Sequence, residues 1–265
     1  MNIAFRLTQK TQLLLTVALI SICMASIAVL QQSILNQSKQ VQTEASYFRQ
    51  KEVRGTSLNI IKKFPNFGFK NLTADWIYLQ FIQYYGDTEA RKVTGYDLIP
   101  AYFQAIVEKD PRFTDAHIIL SLANTLFAGQ PELSVELLEQ SLEHLAPNQV
   151  KRSHELWFNK AMDEFLFLGD LEAAKKSYQK GAEWAKQSIE VGSDDFVNYA
   201  KRMIQFIETN PDTTEGRIGA WMLVLSTTEQ KIVQEKVIQE LEALGAEVVI
   251  SPNGRIERVK LPQSN

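Results

Sequence analysis

Three histidines, one cysteine and a pair of adjacent aspartates are the residues whose types could carry chemistry unaided. His117, His144 and His154 could act as metal ligands or proton carriers, but no two stand at the three- or four-residue spacing that shares a helix face. A zinc site would need acids brought from elsewhere. Cys23 lies in an apolar, uncharged run, which excludes a cysteine nucleophile, and a single cysteine forms no intramolecular disulfide. Asp194-Asp195 reads as a helix start rather than an acid/base pair. The chain holds no GxSxG, HExxH, CxxC, GxGxxG or phosphate loop. The expectation is therefore no catalytic residue, no cofactor and no metal, with an enzyme assembled from dispersed positions as the remote alternative.

The elements that could position a site come from the rest of the chain. Its 265 residues are 45% hydrophobic and 22% charged with 12 Gly and 8 Pro, which describes a folded chain with room for a core. The net charge of −3 conceals two unlike parts. Residues 1 to 70 hold nine Lys or Arg and two acids, for +7, and residues 71 to 265 hold 19 and 29, for −10. An acidic body argues against general nucleic-acid binding.

Leu13 to Leu30 is eighteen residues without a charge, behind a short basic tail, residues 1–12, that carries Arg6 and Lys10. A helix of that length spans roughly 27 Å, close to a bilayer's hydrocarbon core. Residues 13–30 are expected to anchor the chain in a lipid bilayer; a secretory signal cut after Ala28 is the alternative, with an apolar region longer than is usual for one. Basic residues flank the span almost equally. The short basic leader favours a cytoplasmic amino terminus and an exported body.

Residues 31–70 read as a basic amphipathic stalk. Leu30, Ile34, Val41, Ala45 and Phe48 recur at helical spacing, and Lys39, Arg49, Lys51, Arg54, Lys62, Lys63 and Lys70 either lean toward anionic headgroups or keep a linker soluble. Phe64-Pro65-Asn66-Phe67-Gly68 marks the stalk's end.

An internal period then appears. Trp76, His117 and Phe158 stand 41 residues apart, and each stretch closes on a glycine, Gly86, Gly129 and Gly169, before a second helical stretch that stops at Pro111, near Pro147 or at Gly192. Helix, glycine turn and second helix make a hairpin that buries little until it stacks on its neighbours. The run LGDLEAAKKSYQKGAEWA resembles the second half of a tetratricopeptide repeat: Gly169 in the turn, Ala174 and Gly181 where helices touch, and Tyr178 between them. Phe158 and Phe165 occupy the aromatic positions of its first helix, and Phe103 with Asp110-Pro111 resembles the end of an earlier copy. The likeness covers roughly residues 71 to 190. His117 and Asn124 depart from the pattern, and the first unit carries an insertion at Arg91 to Asp97.

The resemblance implies an all-α fold, an α-solenoid of stacked helical hairpins over 71–226. Beyond it, residues 227–265 are read as a capping helix and a short β-hairpin, with Thr227 and Gln230 as a capping box and SPNG as the hairpin turn. In proteins of this kind the first helices line a concave groove. By position these are Ile77, Phe81 and Tyr84, then Ile118, Leu122 and Thr125, then Asn159, Asp163 and Leu166. Such an apolar groove suits an amphipathic helix or extended apolar segment of a protein partner, unless the chain's own helix 228–244 fills it. The expected function is a membrane-tethered scaffold or adaptor in the assembly of a membrane complex, with a constitutive structural subunit as the second reading.

Overall fold

The computed structural model describes residues 9–38, 43–63, 68–251 and 256–262. Arg6, Lys39, Val41, the stretch from Phe64 to Phe67 and most of the SPNG turn lie outside the described residues. The described fold is all-α, 77% helical, with twelve α-helices and one two-stranded antiparallel sheet. It divides into two compact units, Met1–Tyr47 and Phe48–Asn265.

The first unit holds α1, Gln9–Ser38. Within it Leu14–Gln32 is 19 residues of mean hydropathy 2.3 with no buried side chain, long and apolar enough to cross a membrane. Helix α2, Glu44–Lys63, begins in this unit and runs into the second.

From Phe48 onward α2 belongs to the body, which corrects the expectation of a separate stalk over 31–70. Leu58 is buried, and Lys51 Nζ stands 2.5 Å from Asp97 Oδ2. Lys62 Nζ lies 3.5 Å from Glu108 Oε1, while the Lys62 carbonyl accepts from Lys109 Nζ at 2.8 Å. The stripe expected from Leu30 to Phe48 passes through residues 39–42 and so lies partly outside the described residues. Two of the stalk's lysines are spent on acids of the body.

The body continues through α3 (Lys70–Gly86), α4 (Thr88–Thr94), α5 (Ile99–Lys109), α6 (Thr114–Ala128), α7 (Pro131–Leu142) and α8 (Ser153–Asp163). A π-helical segment, Glu164–Leu168, extends α8, and α9 (Leu171–Ala185) and α10 (Ser193–Glu208) follow. Side-chain caps start two helices: the Asp87 carboxylate accepts from Ala90 N at 3.2 Å, and Asp170 from Ala173 N at 2.9 Å. Pro131 opens α7 at the position where a missing N–H costs nothing. The insertion at Arg91 to Asp97 forms the end of α4 and a turn, so the first hairpin's second helix is α5.

Neighbouring helices share cores. Phe81, Tyr102, Phe103, Ile106 and Leu120 centre one that joins α3, α5 and α6; Phe158, Tyr178 and Ala200 centre another across α8, α9 and α10. The third core ties the middle of the body to its carboxy-terminal elements. In it Trp221 and Val224 of α11 (Thr214–Thr227) and Val233, Val237 and Leu241 of α12 (Lys231–Ala243) surround Phe167. Phe167 meets the fully buried Trp221 ring edge-on at 5.1 Å.

Strands β1 (Glu247–Ile250) and β2 (Ile256–Lys260) pair antiparallel, with Val248 opposite Val259 and a bulge after Val249. Val248 and Val259 rest on the third core, which gives a marginal hairpin its support. The expected capping box does not form. Thr227 closes α11, and its Oγ1 donates to the Leu126 carbonyl at 2.5 Å, while Gln230 turns toward α4.

Removing the ring at the centre of the third core should be costly. Trp221→Ala is expected to lower stability by about 3–5 kcal/mol, with urea unfolding monitored by circular dichroism as the measure and amide exchange rising first in α11 and α12.

Candidate protein-binding face

The nine residues assigned to a groove divide by position. Ile77, Phe81 and Tyr84 are completely buried on the side of α3 that meets α5. Ile118, Thr125 and Asp163 are buried too, Asn159 and Leu166 are half-buried, and Leu122 alone is exposed. The expected register lies one step inside the helix layer. An i, i+4, i+7 stripe on α3 marks packing between helices, and the positions that turn outward are its neighbours.

Three of these residues form a polar seam instead of a groove lining. Thr125 Oγ1 of α6 donates to Asp163 Oδ2 of α8 at 2.9 Å and lies 2.9 Å from Ser134 Oγ of α7. Asn159 Nδ2 donates to Ser121 Oγ at 2.9 Å and to the Ile118 carbonyl at 3.2 Å. Asn124 Nδ2 reaches Ser134 Oγ at 2.9 Å and the Gln130 carbonyl at 2.7 Å. Small hydroxyls and amides let the three helices approach closely while pairing most of their polar atoms, Asn124 Oδ1 being left without a partner among the described residues. Next to the seam Lys160 and Glu164 form a buried ion pair, and Ser177 Oγ donates to Glu164 at 2.6 Å.

Among the described residues no cation pairs with Asp163. Burial pushes its carboxyl well above the usual carboxylate range; the Thr125 hydroxyl opposes that, and the charges of Glu164 and Glu132 add to it.

The outward side of the α6 and α8 pair carries Ile119, Leu122 and Met162, with Leu122 39% and Met162 36% exposed. Arg152 sits at one end of this side, donating to Glu155 at 2.7 and 2.9 Å and to Asp115 at 2.8 Å. The chain's own helix α12 does not cover this strip. It lies over the turns: Val233 comes against Gly129, Lys236 pairs with Glu132 at 2.8 Å, and Gln230 Nε2 donates to the Thr94 carbonyl at 3.3 Å. Sequence periodicity alone missed Ile119 and Met162; the signal was present as apolar positions adjacent to the buried stripe.

A polar cleft of about 600 Å³ lies where the α11–α12 connection meets α4, lined among others by Lys51, Arg91, Gly95 and Gln230. Arg91 is held inside it, donating Nη1 to the Gly95 carbonyl at 2.9 Å and lying 3.7 Å from the centre of the Tyr84 ring.

Each histidine has a local task. His117 is buried against Phe103 with Nε2 3.0 Å from the Asp110 carbonyl, and burial pushes its pKa down to about 4. His154 packs edge-on against Phe196, and His144 Nδ1 contacts the Gln140 carbonyl at 2.8 Å. Among the described residues no group of three His, Cys, Asp or Glu side chains could hold a metal ion.

The seam predicts a pH dependence. Folded Asp163 holds its proton more tightly than the unfolded chain does, so the stability due to its neutral form is complete in acid and declines as pH rises above the usual carboxylate range. Asp163→Asn should therefore melt above the native chain at pH 8 and no higher than it at pH 4, as read by thermal denaturation at both values.

Compared with protein-family models, curated proteins and solved structures, the chain matches none.

Proposed function

We propose that this chain is a membrane-tethered helical-repeat protein of the tetratricopeptide kind, a scaffold that holds a partner protein during assembly or stabilisation of a membrane complex. Contacts that repeat at a near-constant sequence offset support the repeat reading. Thr125 meets Asp163 at a separation of 38 where α8 runs beside α6, and one unit further on Arg152 meets Glu190, again at 38, as stacked copies of one hairpin would.

The observation that carries the function is the uncovered apolar strip of Ile119, Leu122 and Met162, bounded by the charged cluster of Asp115, Arg152 and Glu155. An apolar centre with a charged rim suits an amphipathic helix or an apolar extended segment of another protein. Helix α1 is the anchor in this reading, the amino terminus stays in the cytoplasm and the body lies on the exported side.

Tagged full-length protein in detergent should recover a defined partner, and Leu122→Asp combined with Met162→Asp should reduce that recovery at least tenfold while helicity is unchanged. Equal recovery by both proteins would exclude this strip as the binding surface.

Orientation is tested separately by protease protection of sealed vesicles bearing a carboxy-terminal tag. The tag should resist protease added to the cytoplasmic side and be lost when protease is admitted to the exported side; the reverse pattern inverts the assignment.

A further inference from the structure

An exposed apolar stripe lies on α3, away from the α6 and α8 side. Phe69, Leu72, Trp76 and Leu79 recur at steps of three and four and are between 56% and 67% exposed, opposite the buried Ile77 and Phe81. Leu72, Trp76 and Leu79 also line, with Ile61 of α2, an almost wholly apolar cleft of about 490 Å³. A soluble surface rarely carries an indole and three large apolar side chains in one row without a partner to cover them.

The surroundings of the stripe decide between partners. Lys63, at the end of α2, and Lys70, at the start of α3, are both exposed, and no described acid pairs with either. Lys51 and Lys62, by contrast, are engaged with Asp97 and Glu108. Among the described residues Asp75 is the one acid lining the cleft, and its exposed position lets it remain in water. Tryptophan at the level of the headgroups, apolar side chains beneath it and lysines beside it are the arrangement that an interfacial helix uses on an anionic bilayer. The same chain carries a helix long and apolar enough to enter a bilayer.

We propose that the exposed side of α3 docks on a lipid surface, with Leu72, Trp76 and Leu79 entering the interface and Lys63 and Lys70 meeting anionic headgroups. A protein partner or a second copy would have to supply both an apolar groove and acids to meet the lysines. A bilayer containing anionic lipid offers both without further design.

The distribution of tryptophan makes the test direct. All four tryptophans, Trp76, Trp157, Trp184 and Trp221, lie in the body, and α1 has none, so quenching of indole fluorescence by the lipid reports on the body alone. The full-length protein is reconstituted into phosphatidylcholine–phosphatidylglycerol vesicles with or without brominated acyl chains. Brominated lipid should quench the native protein, and Trp76→Phe should remove at least half of that quenching. Leu72→Asp with Leu79→Asp should give a similar loss, with circular dichroism confirming that the body is folded, and omitting phosphatidylglycerol should weaken quenching. Equal quenching of native protein and Trp76→Phe overturns the proposal. So does an unquenched Trp76 that becomes shielded from aqueous iodide only as protein concentration rises, which would assign the stripe to contact between copies.

Discussion

Close approach at three glycine turns is the constraint on which the body depends. Gln230 lies over Gly95, Val233 over Gly129 and Arg217 over Gly169, so near that a Cβ added at these glycines would stand 1.9, 2.8 and 2.6 Å from the respective side chains. Gly129 and Gly169 also end their helices in the left-handed conformation that favours glycine. The residue that makes each turn is thus also the one that gives α11 and α12 room to settle. The first core already reaches from Leu58 of α2 to Trp184 of α9, and the second continues across α8, α9 and α10. Beside these turns Phe167 and Leu126 join Trp221 and Val237 in a core that ties the middle of the body to its last two helices.

The seam between α6, α7 and α8 shows a different compromise. Thr125, Ser134 and Asn159 allow close packing, but they bring Asp163 into a place where ionisation is unfavourable. The Lys160–Glu164 pair beside it is satisfied internally, each member with further help from Ser177. Such polar interiors specify one alignment of the helices, because sliding any helix by a turn would strand several donors and acceptors at once. An apolar seam of the same volume would hold as firmly and specify less.

Helices were legible wherever a local signal set their ends. Pro131, Asp170 and Gly129 mark boundaries that the structure keeps, and the paired strands fall on either side of the SPNG segment. The register of the groove was not legible, because Ile77 and Leu79 are both apolar and only tertiary packing determines which of them faces α5. The same limit affected α2: Lys51 and Lys62 look like solvent residues until Asp97 and Glu108, more than forty positions later, come to meet them. Thr227 and Gln230 had the spacing of a capping box, yet Leu126 and Thr94 were better placed to use their side chains. Long-range competition for a polar group is invisible to any local window.

The crossing of Gln230 over the turn at Gly95 has a consequence for how the chain is made. Tyr96 N donates to Gln230 Oε1 across 134 residues of sequence. A ribosome adding 5–20 residues per second takes on the order of ten seconds to cover that distance. Through that interval the earlier hairpins can form, but the ends of α6 and α8 wait with Leu126 and Phe167 uncovered. The body closes only when its last helices arrive, so a chain truncated before α11 would leave those side chains exposed to chaperones, proteases and other unfinished copies.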